Sequence, residues 1–354
     1  MPTPVRLADL TTLRLGGPAV ALITVTSADE LGDVMGDLGG SKVLVLGGGS
    51  NLVVADEGFD GPVVRIAIPG IEIGPDLPDG SLEVRIGAGE NWDTVVEALV
   101  AAGLTGLAPL SGIPGSTGAT PVQNVGAYGT DIADMLTAVT WYDRATGEIG
   151  PHSVEELQLG YRSSALRGTE RAVITDITLR LSRAPKPVKY VELARTLSVE
   201  VGRTAPEVAQ REAVLSLRRS KGMVIQPGVD DPDTRSAGSF FTNPILDSEQ
   251  VARADAAIRH RLGPDATYPH YPADDGLTKL SAAWLIERSG FGRGYDGPGA
   301  RVGLSSKHTL ALINRNGTTA DLLSLAKEIR DGVRAAFDVE LHPEPVLVGV
   351  SLDD

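Results

Sequence analysis

Val43-Leu44-Val45-Leu46-Gly47-Gly48-Gly49-Ser50-Asn51-Leu52-Val53-Val54-Ala55 is the stretch on which the fold turns. A short β-branched and aliphatic run enters three consecutive glycines and an apolar run follows at once, so the pattern predicts strand, glycine turn, strand. Such a turn lets bare backbone N–H groups approach a diphosphate that a side chain would hold off. In a Rossmann-type dinucleotide fold the glycines would open a helix, whereas here the chain returns directly to Leu52-Val53-Val54. A Walker A loop would end in Gly-Lys-Ser/Thr, and this one does not. A plain hairpin turn accounts for the same residues as readily as a diphosphate-binding one.

Outward from this stretch the chain mixes both periods. Residues 63–68, 82–86, 139–142 and 172–181 read as strands, and 94–102 as a helix capped by Asn91 or Asp93. Residues 206–218 form an amphipathic helical pattern behind Thr204 as a cap. The Gly, Pro and Asp content of 221–235 predicts a domain crossing. Beyond it, 280–287 and 321–337 read as helices, 309–313 and 346–350 as strands.

A second glycine-rich region runs from Leu107 to Gly129 without one charged residue, and includes Ser111-Gly112-Ile113-Pro114-Gly115-Ser116-Thr117-Gly118-Ala119 and then Gln123, Asn124 and Gly126. A long uncharged tract with little regular pattern needs partners for its backbone, and a ligand can supply them. Two separate loops of this kind suit the two ends of an extended dinucleotide.

Other chemistries find less support. No serine stands in Gly-x-Ser-x-Gly, so a hydrolase nucleophile elbow is absent. The histidines, at 152, 260, 270, 308 and 342, show no paired spacing, and no metal site is expected. Three short segments place one polar group each in an apolar or proline-stiffened frame: Arg162 in Leu159-Gly160-Tyr161-Arg162-Ser163-Ser164, Ser239 in Ala237-Gly238-Ser239-Phe240-Phe241, and Glu344 in His342-Pro343-Glu344-Pro345. Taken singly they read as a surface ion pair, a turn residue and a solvated acid.

At 354 residues and 42% hydrophobic content the chain can bury two or three cores. A net charge of −14, with Arg218, Arg219 and Lys221 as its longest basic cluster, leaves no footprint for nucleic acid. Cysteine is absent, which removes disulfides, thiolate nucleophiles and sulfur-linked flavin, and fits a reducing cytosol. Neither signal-peptide nor membrane-span patterning occurs, so a cytoplasmic protein without membrane association is expected, and no obligate protein partner is evident.

Taken in order, these segments resemble the UDP-N-acetylenolpyruvoylglucosamine reductase (MurB) family over nearly the whole chain. The resemblance implies an α+β fold: a two-part FAD-binding module of the vanillyl-alcohol-oxidase type plus an α/β substrate-binding domain. It places these at 1–69 and 70–218, the latter joined by a C-terminal strand in 338–354, with the substrate domain at 219–337. It implies FAD held by Gly47, Gly48, Gly49, Ser50 and Asn51 and by Pro114, Gly115, Ser116, Gly118, Ala119, Gln123, Asn124 and Gly126. No histidine precedes His152, so noncovalent FAD is expected.

The chemistry implied is NADPH-dependent reduction of UDP-N-acetylglucosamine enolpyruvate to UDP-N-acetylmuramate, a peptidoglycan precursor. By motif match Ser239 looks like the proton donor, and Arg162 and Glu344 like the pair that binds and polarises the substrate carboxylate. Lys189-Tyr190-Val191-Glu192-Leu193 resembles the lid of the family type that closes a tyrosine over the diphosphate, with Lys221 and Asn243 on phosphates and sugar. Arg14 and Arg288 depart from the usual pattern. Two other readings stay open: an oxidase of the same cofactor fold, and a nucleotide-binding protein without turnover.

Overall fold

The computed structural model describes residues 5–226 and 228–353. It forms two compact units. The larger part of the first is Ala19–Gly49 with Asp60–Gln226; the second joins Arg6–Pro18 and Ser50–Phe59 to the chain after Gln226. The chain thus changes unit inside the glycine turn, between Gly49 and Ser50, and again inside the Gly-Pro-Asp stretch.

That crossing settles the nature of the turn. Leu44–Leu46 pairs in parallel with Phe59–Ile66, and Leu52–Val54 pairs in parallel with Val346–Val348. The two arms belong to different sheets, so the turn is no hairpin.

The first unit is built on a five-stranded antiparallel sheet, in the order Ile149–Ser153, Leu136–Asp143, Ala172–Ser182, Ser81–Gly87, Ile71–Ile73. Ser81–Gly87 alternates Leu82, Val84 and Ile86 inward against Glu83 and Arg85 outward, the signature of a half-covered strand. Ala172–Ser182, at the centre, is buried along most of its length and contributes Val173, Ile174, Ile177, Leu179 and Leu181 to the core. Helix Trp92–Ala101 packs on this core, capped by Asn91, whose side chain accepts from the Thr94 amide. Asp93, the other expected cap, instead accepts from the Gly112 amide at 2.6 Å.

Helix Glu207–Ser220 departs from expectation at its start. Its N-cap is Pro206, with no capping side chain, and Thr204 plays no part. Proline fixes φ and brings no donor to satisfy, and Glu207 aims its carboxylate away to the amides of Gly106 (2.6 Å) and Ala108 (3.0 Å).

In the second unit the helix Thr319–Phe337 buries Leu322, Leu325, Ala326, Ile329, Val333 and Phe337, a stripe at i+3/i+4 spacing. Thr318 and Asp321 form its capping box, and Asp56 accepts from the Thr319 and Ala320 amides at 2.8 and 3.0 Å, which stitches Ser50–Phe59 into this unit. The expected strand at 309–313 lies at Leu312–Asn314 and pairs with Val302–Leu304. The expected helix at 280–287 begins at Ala282, because Ser281 caps it behind the strand Thr278–Leu280. Helices Ala28–Leu38 and Ser248–Leu262 were not legible in the sequence: each buries only two side chains, Leu31 and Met35 or Ala254 and Ile258, too narrow a stripe to register as a period. No helix among the described residues is long and apolar enough to cross a membrane.

Candidate active site

Both glycine-rich segments meet in the first unit. A Cβ on Gly48 would lie 2.6 Å from the Gly115 Cα, and one on Gly47 would strike the Ser116 hydroxyl. Glycine is therefore needed for the loops to approach, independently of any ligand. Within this seam the amides of Gly48, Gly49 and Gly115 donate to no acceptor among the described residues. Gly118 is packed against Ala88, its amide donating to the Ala88 carbonyl at 2.9 Å, and the Ala119 amide closes a turn on Ser116. Pro114 and Gln123 flank these turns in the same tract. Ser111, fully buried at the start of the tract, has a hydroxyl without a hydrogen-bond partner among the described residues. Unused amides beside glycines, in a region without formal charge, fit the diphosphate of FAD, which accepts hydrogen bonds and brings its own charge.

Arg162 is fixed in the same unit. Its backbone is left-handed, with φ 51°, and its side chain is mostly buried. Nη1 donates to the Asn124 carbonyl at 3.2 Å and to Asp131 Oδ1 at 3.1 Å, while Nη2 donates to the Gly126 carbonyl. Asn124 is also left-handed (φ 45°), and its amide group bridges the Gly160 carbonyl and the Ala133 amide. Left-handed backbone at non-glycine residues costs energy and persists where surrounding contacts over-determine it. Gly126 must lack a side chain, since a Cβ there would collide with the Asp131 carboxylate. The guanidinium is thus aimed by backbone carbonyls that leave no mark in the sequence.

Tyr190 and Lys221 are brought together around a residue not singled out from the sequence, Tyr128. The two tyrosine rings meet edge to face at 5.5 Å, and Lys221 Nζ lies 5.6 Å from the Tyr128 ring centroid. Lys221 also pairs with Glu192 at 2.8 Å. Burial pushes the Tyr128 hydroxyl up to about 12, so it stays protonated and can donate. Tyr190 is exposed, at the N-terminus of the short helix Val191–Thr196.

The second unit holds Ser50, Asn51, Ser239, Asn243 and Glu344. Ser239 follows Gly238 (φ 74°) and precedes Phe240 and Phe241, both buried in the core, so its backbone is anchored on one side by a turn and on the other by packing. The Glu344 amide donates to the Phe240 carbonyl at 2.8 Å, which sets Glu344 alongside Ser239 across 105 positions of sequence. Asn51 braces the same segment: its side chain donates to the Glu344 carbonyl at 3.4 Å, and its carbonyl accepts from Val346 at 2.9 Å. The Thr12 hydroxyl links the carbonyls of Ser50 and Ser236 at 3.4 and 2.6 Å. No described residue hydrogen-bonds the Ser239 hydroxyl. Asn243 is already engaged, its Oδ1 accepting from the Ala282 amide at 2.9 Å, which leaves its NH₂ to reach outward. Arg162 belongs to the first unit, Ser239 and Glu344 to the second.

Comparisons with known proteins agree with one another. Residues 19–150 match the family model of an FAD binding domain, and residues 230–348 match that of the UDP-N-acetylenolpyruvoylglucosamine reductase C-terminal domain. The UDP-N-acetylenolpyruvoylglucosamine reductase of Saccharopolyspora erythraea is 55% identical, over 98% of this chain and 95% of its own. That of Thermobifida fusca is 52% identical, over 98% of each. The crystal structure of the reductase from Thermus caldophilus superposes with a TM-score of 0.66 at 25% identity, covering 98% of both chains. With identity of this order end to end, and with matched models on either side of the crossing at Gln226, the chain belongs to the UDP-N-acetylenolpyruvoylglucosamine reductase family, an FAD-dependent oxidoreductase family.

Proposed function

We propose that this chain reduces UDP-N-acetylglucosamine enolpyruvate to UDP-N-acetylmuramate in peptidoglycan precursor synthesis, with NADPH as electron donor, and that Ser239, Arg162 and Glu344 carry the residue chemistry. FAD, when bound, supplies the two-electron step between donor and substrate. The Gly48, Gly49 and Gly115 amides would hold its diphosphate, with the other turn and tract residues from Gly47 to Asn51 and from Pro114 to Gly126 shaping the seam.

Reduction at the methylene carbon leaves negative charge on the carbon beside the substrate carboxylate. Arg162, already aimed by two carbonyls and Asp131, binds that carboxylate and draws charge onto it, and Glu344 is its partner there. Ser239 gives its hydroxyl proton to the carbon. A serine hydroxyl is a weak acid in water, but it serves when held within reach of a strong base as that base forms. Tyr190 and Lys221 clamp the substrate diphosphate, for which Lys221 exchanges its Glu192 partner, and the Asn243 NH₂ takes the sugar. The observation that supports this reading is the Glu344–Phe240 backbone bond, which joins the Glu344 segment to that of Ser239, whose hydroxyl has no described partner. We further propose the division of the FAD module at 69 and of the substrate domain at 219–337, noncovalent FAD, cytoplasmic residence and independence of a protein partner.

The test is anaerobic NADPH consumption by the purified protein with and without UDP-N-acetylglucosamine enolpyruvate, read beside its visible spectrum. Consumption that requires this substrate is expected. A yellow protein indifferent to it would contradict the substrate, and a colourless one that takes up no FAD would contradict the cofactor reading.

A further inference from the structure

Helix Glu207–Ser220 ends in a cation that is placed where cations are rarely left. Arg218 is only 8% exposed. Among the described residues its five N–H donors make one bond, Nη2 to the Met223 carbonyl at 3.2 Å, and the buried Nε has no partner there. No carboxylate lies within ion-pair distance of it among the described residues.

The acid whose charge acts on it, Asp93, is already committed. Asp93 accepts from Arg211 through both carboxylate oxygens and from the Gly112 amide. Arg211 reaches a second acid, Glu97, at 3.9 Å, and that side chain is largely exposed. The other cations of the site have partners: Arg162 has Asp131, and Lys221 has Glu192. Burial disfavours the charged form of the Arg218 guanidinium, and an arginine in a protein nonetheless keeps its proton. A buried charge with most of its donors idle is a standing cost of folding unless something outside the chain meets it.

Its position says what that something is. Gly112 is left-handed (φ 70°), and a Cβ there would lie 3.3 Å from Arg218 Nε, 3.2 Å from Val224 Cγ2 and 2.9 Å from Leu215 Cδ2. Ser111, with its own unpartnered hydroxyl, is the preceding residue. Two idle polar groups therefore mark the head of the uncharged tract assigned above to FAD. A substrate that comes and goes would leave these donors idle between turnovers, whereas a resident cofactor offers acceptors in both redox states and a full negative charge once reduced.

We infer that Arg218 is the counter-ion of the bound FAD, meeting the negative charge the cofactor gains on reduction and so favouring its reduced form. The inference rests on FAD occupying this tract; a wild-type protein without flavin absorbance would defeat that reading before any variant is made. Contact with the FAD diphosphate uses the same chemistry but has a different consequence. The diphosphate charge is the same in both redox states, so losing such a contact weakens both forms alike and leaves the reduction potential in place.

The experiment is the midpoint potential of the flavin in the holoenzyme, by equilibration with a reference dye, for wild type, Arg218→Gln and Arg218→Lys, with FAD affinity measured alongside. In Arg218→Gln the reduced cofactor is expected to lose at least tenfold more affinity than the oxidised one. That lowers the potential by about 30 mV for each tenfold of difference. Arg218→Lys, which keeps the charge, is expected to retain most of the wild-type potential. An unchanged potential in Arg218→Gln overturns the inference, whether FAD affinity falls equally in both forms, which assigns the guanidinium to the diphosphate, or does not fall. Should Arg218→Gln fail to fold, wild type still decides. A cofactor reduced to an anion takes up one proton per two electrons, so its potential changes by about 30 mV per pH unit around neutrality, and a slope of about 60 mV overturns the assignment.

Discussion

Arg162 and Ser239 are prepared in opposite ways. The arginine is held in a left-handed backbone with three acceptors on its guanidinium, while the serine hydroxyl has no described partner although its backbone is pinned by Gly238, Phe240 and the Glu344 segment. A group that must meet a fixed carboxylate gains from being rigid beforehand, since its ordering entropy is then spent during folding. A group that must give up a proton gains from having no competing acceptor. On the proposed roles, Arg162 would do the holding and Ser239 would supply the acid.

The most severe way to break this division is at the glycine seam. Gly48→Val would drive a side chain into Gly115, so the protein is expected to purify without flavin absorbance and without activity. Retained flavin in that variant would dissociate the seam from the cofactor. A sharper probe is Asp131→Asn, which removes one of the described restraints on Arg162. Because Asp131 is about half exposed its pairing is weak, so the expected cost is roughly threefold to tenfold in KM for the enolpyruvyl substrate, with kcat less affected. An equal fall in kcat at unchanged KM would mean that Asp131 acts in the chemistry itself.

Stability separates the units further. Thr318→Ala removes the cap of helix Thr319–Phe337 and should lower stability by about 1 kcal/mol while leaving flavin absorbance intact. The smallest effect is a pH dependence at Glu207. Burial raises its carboxyl above the ordinary range, against the pull of the Ala108, Gly106 and Leu107 amides. The fold therefore favours the protonated form: this contribution is full below the ordinary carboxylate pKa and fades as pH rises through the raised value. Glu207→Gln should accordingly gain in Tm relative to wild type between pH 4 and pH 7, and a constant difference would show that Glu207 does not titrate in that window.

Local signals were legible, and pairings across the chain were not. The glycines at 47–49 and 112–126 announced close backbone approach, because glycine leaves a mark in sequence wherever a side chain cannot fit. Whether the first turn was a hairpin stayed open, since its arms pair with residues 63–65 and 346–348, and parallel partners that far away leave no trace beside the turn. Ser239 and Glu344 looked bland alone, and what brings their segments together is a short antiparallel bridge, the Glu344 amide on the Phe240 carbonyl and the Thr242 amide on the His342 carbonyl. Arg218 read only as part of the longest basic cluster, because a charge on an amphipathic helix looks the same whether water or protein covers it. Thr204 looked like a cap until Pro206 and Glu207 claimed the helix start between them.

The most direct test of the account is Ser239→Ala, purified as holoenzyme and assayed anaerobically with NADPH and UDP-N-acetylglucosamine enolpyruvate. Expected are an unchanged flavin spectrum, unimpaired reduction by NADPH, and product formation slowed by roughly 10²–10⁴-fold, the usual worth of a positioned acid. Product formation at the wild-type rate would contradict it, and so would a loss of activity that follows a loss of flavin.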